Sequence, residues 1–317
     1  MKRSILAAAV AAIFLSVTLW AQTLWAPKGE PALYTAPHKP HTKIKDVLAA
    51  HAGHKEWRET IVDDEHLRSE YIQAPPGFKT KRAVHPDTRV WWIIRDGQVR
   101  FDIETVGQFV ASKGSMVQCP QQTFFSWEVI GDKPALIFET NIARARTLYE
   151  SDVAPLKVPG YDWVPVSFRR TPGNFEAGNK AHSTFDEWAE IVEKGGASTQ
   201  RFVTDDRGAA NFIYGYNSKL PPLDPSAKGH YHPEGAEFWL ILKGQIRYPI
   251  EKVGVLIAEE GDVVYVPRYT WHFPRWWGEG PACRLAMNGF PNISHLFEPG
   301  AAGGGGKQGG KQGRTKN

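Results

Sequence analysis

Gly229-His230-Tyr231-His232-Pro233-Glu234-Gly235-Ala236-Glu237-Phe238-Trp239 is the stretch from which the fold of this 317-residue chain is read. Residues of a strand alternate between its faces, so His230 and His232 share one face. Glu237 lies an odd number of positions further on and would point away from a straight strand. Pro233-Glu234-Gly235 breaks that parity, because proline cannot continue a central ladder and glycine permits a bend or bulge. Beyond the bend, Glu237, Trp239 and Ile241 are expected to face the same interior as the histidines. A later segment, Gly261-Asp-Val-Val-Tyr-Val-Pro-Arg-Tyr-Thr-Trp-His272, brings a third imidazole. Neutral imidazoles and a carboxylate are ligands of divalent first-row metals. One histidine in a strand is ordinarily a core or surface residue, and it is the combination at these spacings that reads as a metal pocket.

The residues resemble the cupin superfamily. Its first motif is matched by His230, His232, Glu237 and Gly244, with Asp224 where the family has its leading glycine, and its second by Gly261, Pro267 and His272. Tyr269 stands where the family usually has glycine, and Trp276 where it has asparagine. The resemblance implies a small β-barrel holding one divalent ion on His230, His232, Glu237 and His272, with Fe(II) first among Fe, Mn, Ni, Cu and Zn.

Shifting the sequence by 147 positions aligns residues 85–126 with 232–273 without a gap, and sixteen of the forty-two positions are identical. Self-similarity of this kind means one structural unit present twice. The expected fold is therefore all-β, two tandem cupin barrels of the double-stranded β-helix or jelly-roll type, resembling the bicupins. The copies differ at the ligands: Ala83, Val90 and Phe125 stand for His230, Glu237 and His272, and only His85 survives. One imidazole does not hold a divalent ion against water, so the upstream barrel is expected to be metal-free, filled by apolar side chains, and to act as scaffold or interface; an organic ligand bound there without metal is the alternative.

Short β-branched and aromatic runs, Arg89 to Ile94, Gln98 to Ile103 and Ala135 to Thr140, recur as Phe238 to Leu242, Gln245 to Ile250 and Asp262 to Val266. Asp96-Gly97 and Lys243-Gly244 read as hairpin turns. Helices are expected around Ile44 to Ala52 and from Phe185 to Lys194, the latter capped by Ser183 and Thr184 and stopped by Gly195-Gly196. The expected organisation is a signal peptide over residues 1–21, an upstream barrel over 40–157, a linker over 158–182, a downstream barrel over 183–299 and a disordered Gly/Lys-rich tail over 300–317.

Met1-Lys2-Arg3 followed by an uncharged, mostly apolar run has the form of a secretory signal, so an exported, periplasmic or secreted protein is expected; an uncleaved membrane anchor is the alternative. The chain carries a formal +4, but the tail holds four of its positive charges and Lys2 and Arg3 two more, leaving −2 on the body. No basic face of the kind nucleic acid requires is present. Two cysteines, Cys119 and Cys283, are too few for a disulfide framework and read as separate buried thiols. A homodimer is compatible with exposed barrel edges.

The sequence around the ligands is aromatic. Trp239, Ile241 and Trp271 are candidate lining residues, Glu234 or Tyr231 a candidate proton carrier beside the metal, and Arg247 or Arg268 a candidate anchor for an anionic substrate group. Such a pocket suits a small aromatic, phenolic or diketone-like substrate and a dioxygenase reaction. Two further readings stay open: a metal-dependent isomerase, lyase or decarboxylase acting without dioxygen on a sugar or carboxylate, and a periplasmic binding protein without turnover.

Overall fold

A computed structural model of the chain describes residues 23–150, 155, 157–173, 175 and 180–299. The expected signal segment and Gly/Lys-rich tail lie outside the described residues. No helix among the described residues is long and apolar enough to cross a membrane.

The described residues are mostly β, with two short helices. Each half contributes five strands of a six-stranded antiparallel sheet backed by a second, smaller sheet system, which together make one barrel. In the upstream half, Val90–Asp96 lies between Ala135–Ile142 and Ser115–Cys119; in the downstream half, Glu237–Lys243 lies between Pro281–Asn288 and Val263–Val266. The 147-residue repeat is reproduced pair by pair. Val90 faces Asn141 and Cys119, and Glu237 faces Asn288 and Val266. The entry strands repeat at a shorter offset: Ile72 pairs with Ile137, whereas Ile213 pairs with Arg284. The extra length of the downstream copy falls before its metal loop, around the short 3-10 turn Asn217–Lys219.

Turn chemistry repeats too. Gly97 and Gly244 have φ of +76° and +64°, and a Cβ at either would meet the carbonyl oxygen of Pro134 or Pro281 at 2.6 or 2.5 Å. Glycine is the residue that fits both turns.

The all-apolar strands are explained by burial on both faces. Trp92, Ile94, Val99 and Phe125 fill the upstream barrel, and Trp239, Ile241, Ile246 and Tyr248 fill the downstream one. The alternate residues, Trp91, Ile93 and Phe138 from one half and Phe238, Leu240 and Leu285 from the other, form a third core between the two six-stranded sheets, which pack back to back.

The halves also exchange an edge strand. His41–Thr42, ahead of the upstream barrel, pairs with Val263 and Val264 of the downstream sheet, and His182–Thr184 pairs with Ser115 to Val117 of the upstream sheet. Each exchanged strand leads into a helix, α1 (Ile44–Ala50) and α2 (Phe185–Glu193). Helix α2 has a complete capping box between Thr184 and Glu187. Helix α1 has no capping side chain of its own; instead Asp262, from the other half, accepts from the Ile44 N–H at 3.0 Å and from His41 Nε2 at 2.7 Å.

Both cysteines are free and buried.

Candidate metal centre

Four side chains converge in the downstream barrel. One ligand atom each from His230, His232, Glu237 and His272 lies within 4.8 Å of the others. The backbone explains why. His230 N–H donates to the His272 carbonyl at 3.1 Å and His272 N–H to the His230 carbonyl at 2.9 Å, a reciprocal bridge that sets the two imidazoles side by side. The strand broken at His232 resumes at Glu237, with residues 232–236 outside any strand, so the carboxylate swings onto the histidine face. Tyr269 holds φ of +63° and donates its N–H to the His232 carbonyl at 2.8 Å. The left-handed residue that the family supplies as glycine is thus retained in backbone conformation, and Gln122, at the equivalent upstream position, has φ of +58°.

The ring orientations suit an ion. His232 Nδ1 lies 2.7 Å from the Ser294 carbonyl and His272 Nδ1 lies 2.8 Å from the Thr270 carbonyl. A carbonyl only accepts, so each Nδ1 carries the proton and each Nε2 turns a lone pair inward. Nε2 of His230 and of His272 is buried without a hydrogen-bond partner, while His232 Nε2 sits 3.0 Å from Glu237 Oε2. Buried polar nitrogens are rarely left unmatched, and a divalent cation matches all four groups at once. The residues fit a metal.

Electrostatics point the same way. Burial, reinforced by the neighbouring imidazoles, holds His230 well below the ordinary histidine range, and burial also lowers His272. Both therefore stay neutral, as ligands must. Burial pushes Glu237 up, but the His232 and His272 rings that face it outweigh burial and leave the carboxyl well below its usual range. Burial likewise presses His232 down, and Glu237 more than offsets it, so His232 ends raised.

The other sequence candidates divide. Trp239 is buried beside the ligands, its ring 5.3 Å from His272, and Ile241 lies two residues deeper in the same core. Glu234 has a buried Oε2 without a partner and acts electrostatically on His232. Tyr231 and Trp271 are not at the ligands. They alternate with the histidines, so the pleat sends them to the outer face, where their rings meet at 4.8 Å and the Tyr231 hydroxyl donates to the Pro27 carbonyl at 3.3 Å. Arg247 is out of phase with the inward Ile246 and Tyr248 and lies 5.7 Å from the Trp277 ring, and Arg268 is exposed beside Tyr269. Neither arginine reaches the interior.

Sequence reasoning missed His295. Its ring centroid lies 4.8 Å from that of His230 and 4.6 Å from that of His232, and burial lowers its pKa. Leu296–Phe297 pairs with His230–Tyr231, which draws the segment following the barrel across the mouth of the site. No spacing rule connects that segment to the motif.

At the equivalent upstream place, His85 offers no free nitrogen: Nδ1 lies 2.8 Å from the Arg146 carbonyl and Nε2 lies 3.0 Å from the Asn141 amide. Phe125 packs against His85 and Trp92 where the downstream copy has His272.

The Cupin domain family matches residues 217–287. No curated protein matches the sequence closely. Among solved structures, salicylate 1,2-dioxygenase from Pseudoaminobacter salicylatoxidans is similar at a TM-score of 0.58 and 11% identity, covering 81% of this chain and 84% of that one. A cupin 2 conserved barrel domain protein from Leptotrichia buccalis is similar at a TM-score of 0.52 and 13% identity, covering 81% and 96%. With the pair-by-pair internal repeat, these likenesses show that the chain has the two-barrel, bicupin fold, and the matched Cupin domain lies in its downstream barrel.

Proposed function

We propose that this protein is an exported, metal-dependent dioxygenase that acts on a small aromatic or diketone-like substrate at the single centre of its downstream barrel. The observation that carries the reading is the cluster of half-buried His230 with buried His232, Glu237 and His272, with two unpartnered Nε2 atoms, set in an apolar, aromatic barrel. The similarity in fold to a salicylate dioxygenase supports it. A divalent ion on these ligands, Fe(II) in our reading, would leave open positions through which a chelating substrate is made reactive toward dioxygen.

The chain's own residues do the rest. The Ser294 and Thr270 carbonyls hold the His232 and His272 rings in the ligating tautomer. Trp239 walls the substrate side and excludes water, which strengthens every electrostatic contact inside. Glu234, with an unpartnered oxygen near His232, is positioned to take up a substrate proton. The upstream barrel acts as scaffold. Export rests on the form of the N-terminal segment, and the mass of the mature N-terminus tests it.

The function is tested by anaerobic reconstitution with each candidate metal, followed by oxygen-uptake measurement with phenolic and diketone substrates. Uptake with Fe(II), abolished in His272→Ala, is expected. Silence with every metal, or product formed under argon, overturns the dioxygenase reading, and the second outcome moves the protein to non-oxidative metal chemistry.

A further inference from the structure

The downstream barrel contains polar atoms that neither the metal ligands nor the core explain. Glu237 pairs with Asn288, Trp239 with Ala286 and Ile241 with Arg284, and cross-strand partners share a face. Arg284 therefore projects into the same interior as the metal ligands. Its Nε is buried without a hydrogen-bond partner, and its guanidinium forms no ion pair among the described residues. Beside it, Tyr248 is 0% exposed with an unpartnered hydroxyl. Trp276, which packs against the same core, has a buried and unpartnered Nε1. Gly215 leaves room for this ring, since a Cβ there would meet Trp276 at 2.6 Å.

These groups connect to the metal centre. Tyr248 lies 5.1 Å from Trp239, and Trp239 lies 5.3 Å from His272. Ile246 pairs with Trp276 and Tyr248 lies two residues further along the same strand face, so Arg284, Tyr248 and Trp276 line one barrel interior. Arginine and tryptophan side chains only donate, and a tyrosine hydroxyl donates readily. Buried water would answer the tyrosine and the indole but bring no charge to the guanidinium, and Glu237 already faces His232 at 3.0 Å and His272 at 3.5 Å. What the set lacks is a small anion with acceptor oxygens.

We propose that Arg284, with Tyr248 and Trp276, forms the subsite for a carboxylate on the substrate, and so sets specificity for an anionic aromatic or β-keto acid over its neutral analogue. This deepens the reading of the metal centre as a substrate site and rests on it. It also replaces the sequence expectation that Arg247 or Arg268 anchors an anion.

The test is calorimetric titration of the metal-loaded protein with benzoate and acetoacetate, against benzamide and acetoacetamide, with metal content measured on the same samples. We expect the carboxylates to bind at least tenfold more tightly than the amides, Arg284→Met to abolish that preference with metal content unchanged, Arg284→Lys to retain part of it, and Tyr248→Phe to weaken carboxylate binding severalfold. Arg284→Lys and Tyr248→Phe keep the test open should Arg284→Met fail to fold. Equal binding of acids and amides, no saturable binding of either acid, or full preference in Arg284→Lys together with Tyr248→Phe overturns the proposal. Absence of metal with carboxylate preference intact would instead sink the metal reading and leave the subsite standing.

Discussion

Gly229 carries the tightest steric constraint in the metal loop. Its φ is +81°, and a Cβ there would lie 2.2 Å from the carbonyl oxygen of His272, the acceptor of the His230 N–H. Backbone cannot move aside as a flexible side chain can, so Gly229→Ala should break the reciprocal bridge and splay two ligands. We expect metal affinity to fall by about ten- to a hundredfold, the range seen when the support of a ligand is removed, as measured by competition with a chromophoric chelator. The upstream copy has Arg82 at this position, which is consistent with a loop that no longer presents a ligand at Ala83. The four ligands were legible in the sequence because their spacings follow from a two-residue period plus one bend. His295, Arg284 and Tyr248 were not, because their neighbours come from strands whose pairing no local pattern records.

Asp262 ties two elements from different halves. It accepts from the Ile44 and Glu259 backbone N–H groups, both at 3.0 Å, and from His41 at 2.7 Å. Asp262→Ala removes the shared acceptor of these part-buried donors, and thermal or denaturant unfolding should show a loss of about 1–2 kcal/mol. Burial raises the Asp262 carboxyl, but the His41 and backbone hydrogen bonds outweigh it, so its folded pKa is lowered. A lowered carboxylate pKa means the unfolded chain binds more protons. Its stabilisation is therefore complete above the unfolded value of about 3.9 and is lost as pH falls through the folded value. Unfolding measured from neutral pH into acid should accordingly show the gap between wild type and Asp262→Ala closing only below about pH 4. Thr184→Ala, which removes the capping box of α2, should cost about 1 kcal/mol by the same measurement. The cap of α2 was readable from adjacent residues, whereas the cap of α1 comes from more than two hundred positions away along the chain.

At the scale of the whole molecule, the two barrels are halves of one folding unit rather than beads on a linker. The largest core lies between them, and each sheet is completed by a strand from the other half. Residues 23–157 or 183–299 expressed alone would expose an apolar sheet face and an unpaired edge, both drivers of association. We expect neither fragment to give a monomeric peak in size-exclusion chromatography or a cooperative melt, while the full chain does both. The sequence by itself determined that two barrels exist and that the downstream one gathers three imidazoles and a carboxylate, because strand periodicity, turn glycines and a repeated pattern are local properties of the chain. Only the tertiary structure decided which face of each strand meets the partner barrel, that edge strands are traded between halves, and that Arg284 rather than Arg247 or Arg268 enters the interior. Those outcomes depend on register between distant strands, and a shift of one residue in that register would have turned every one of these side chains to the opposite face.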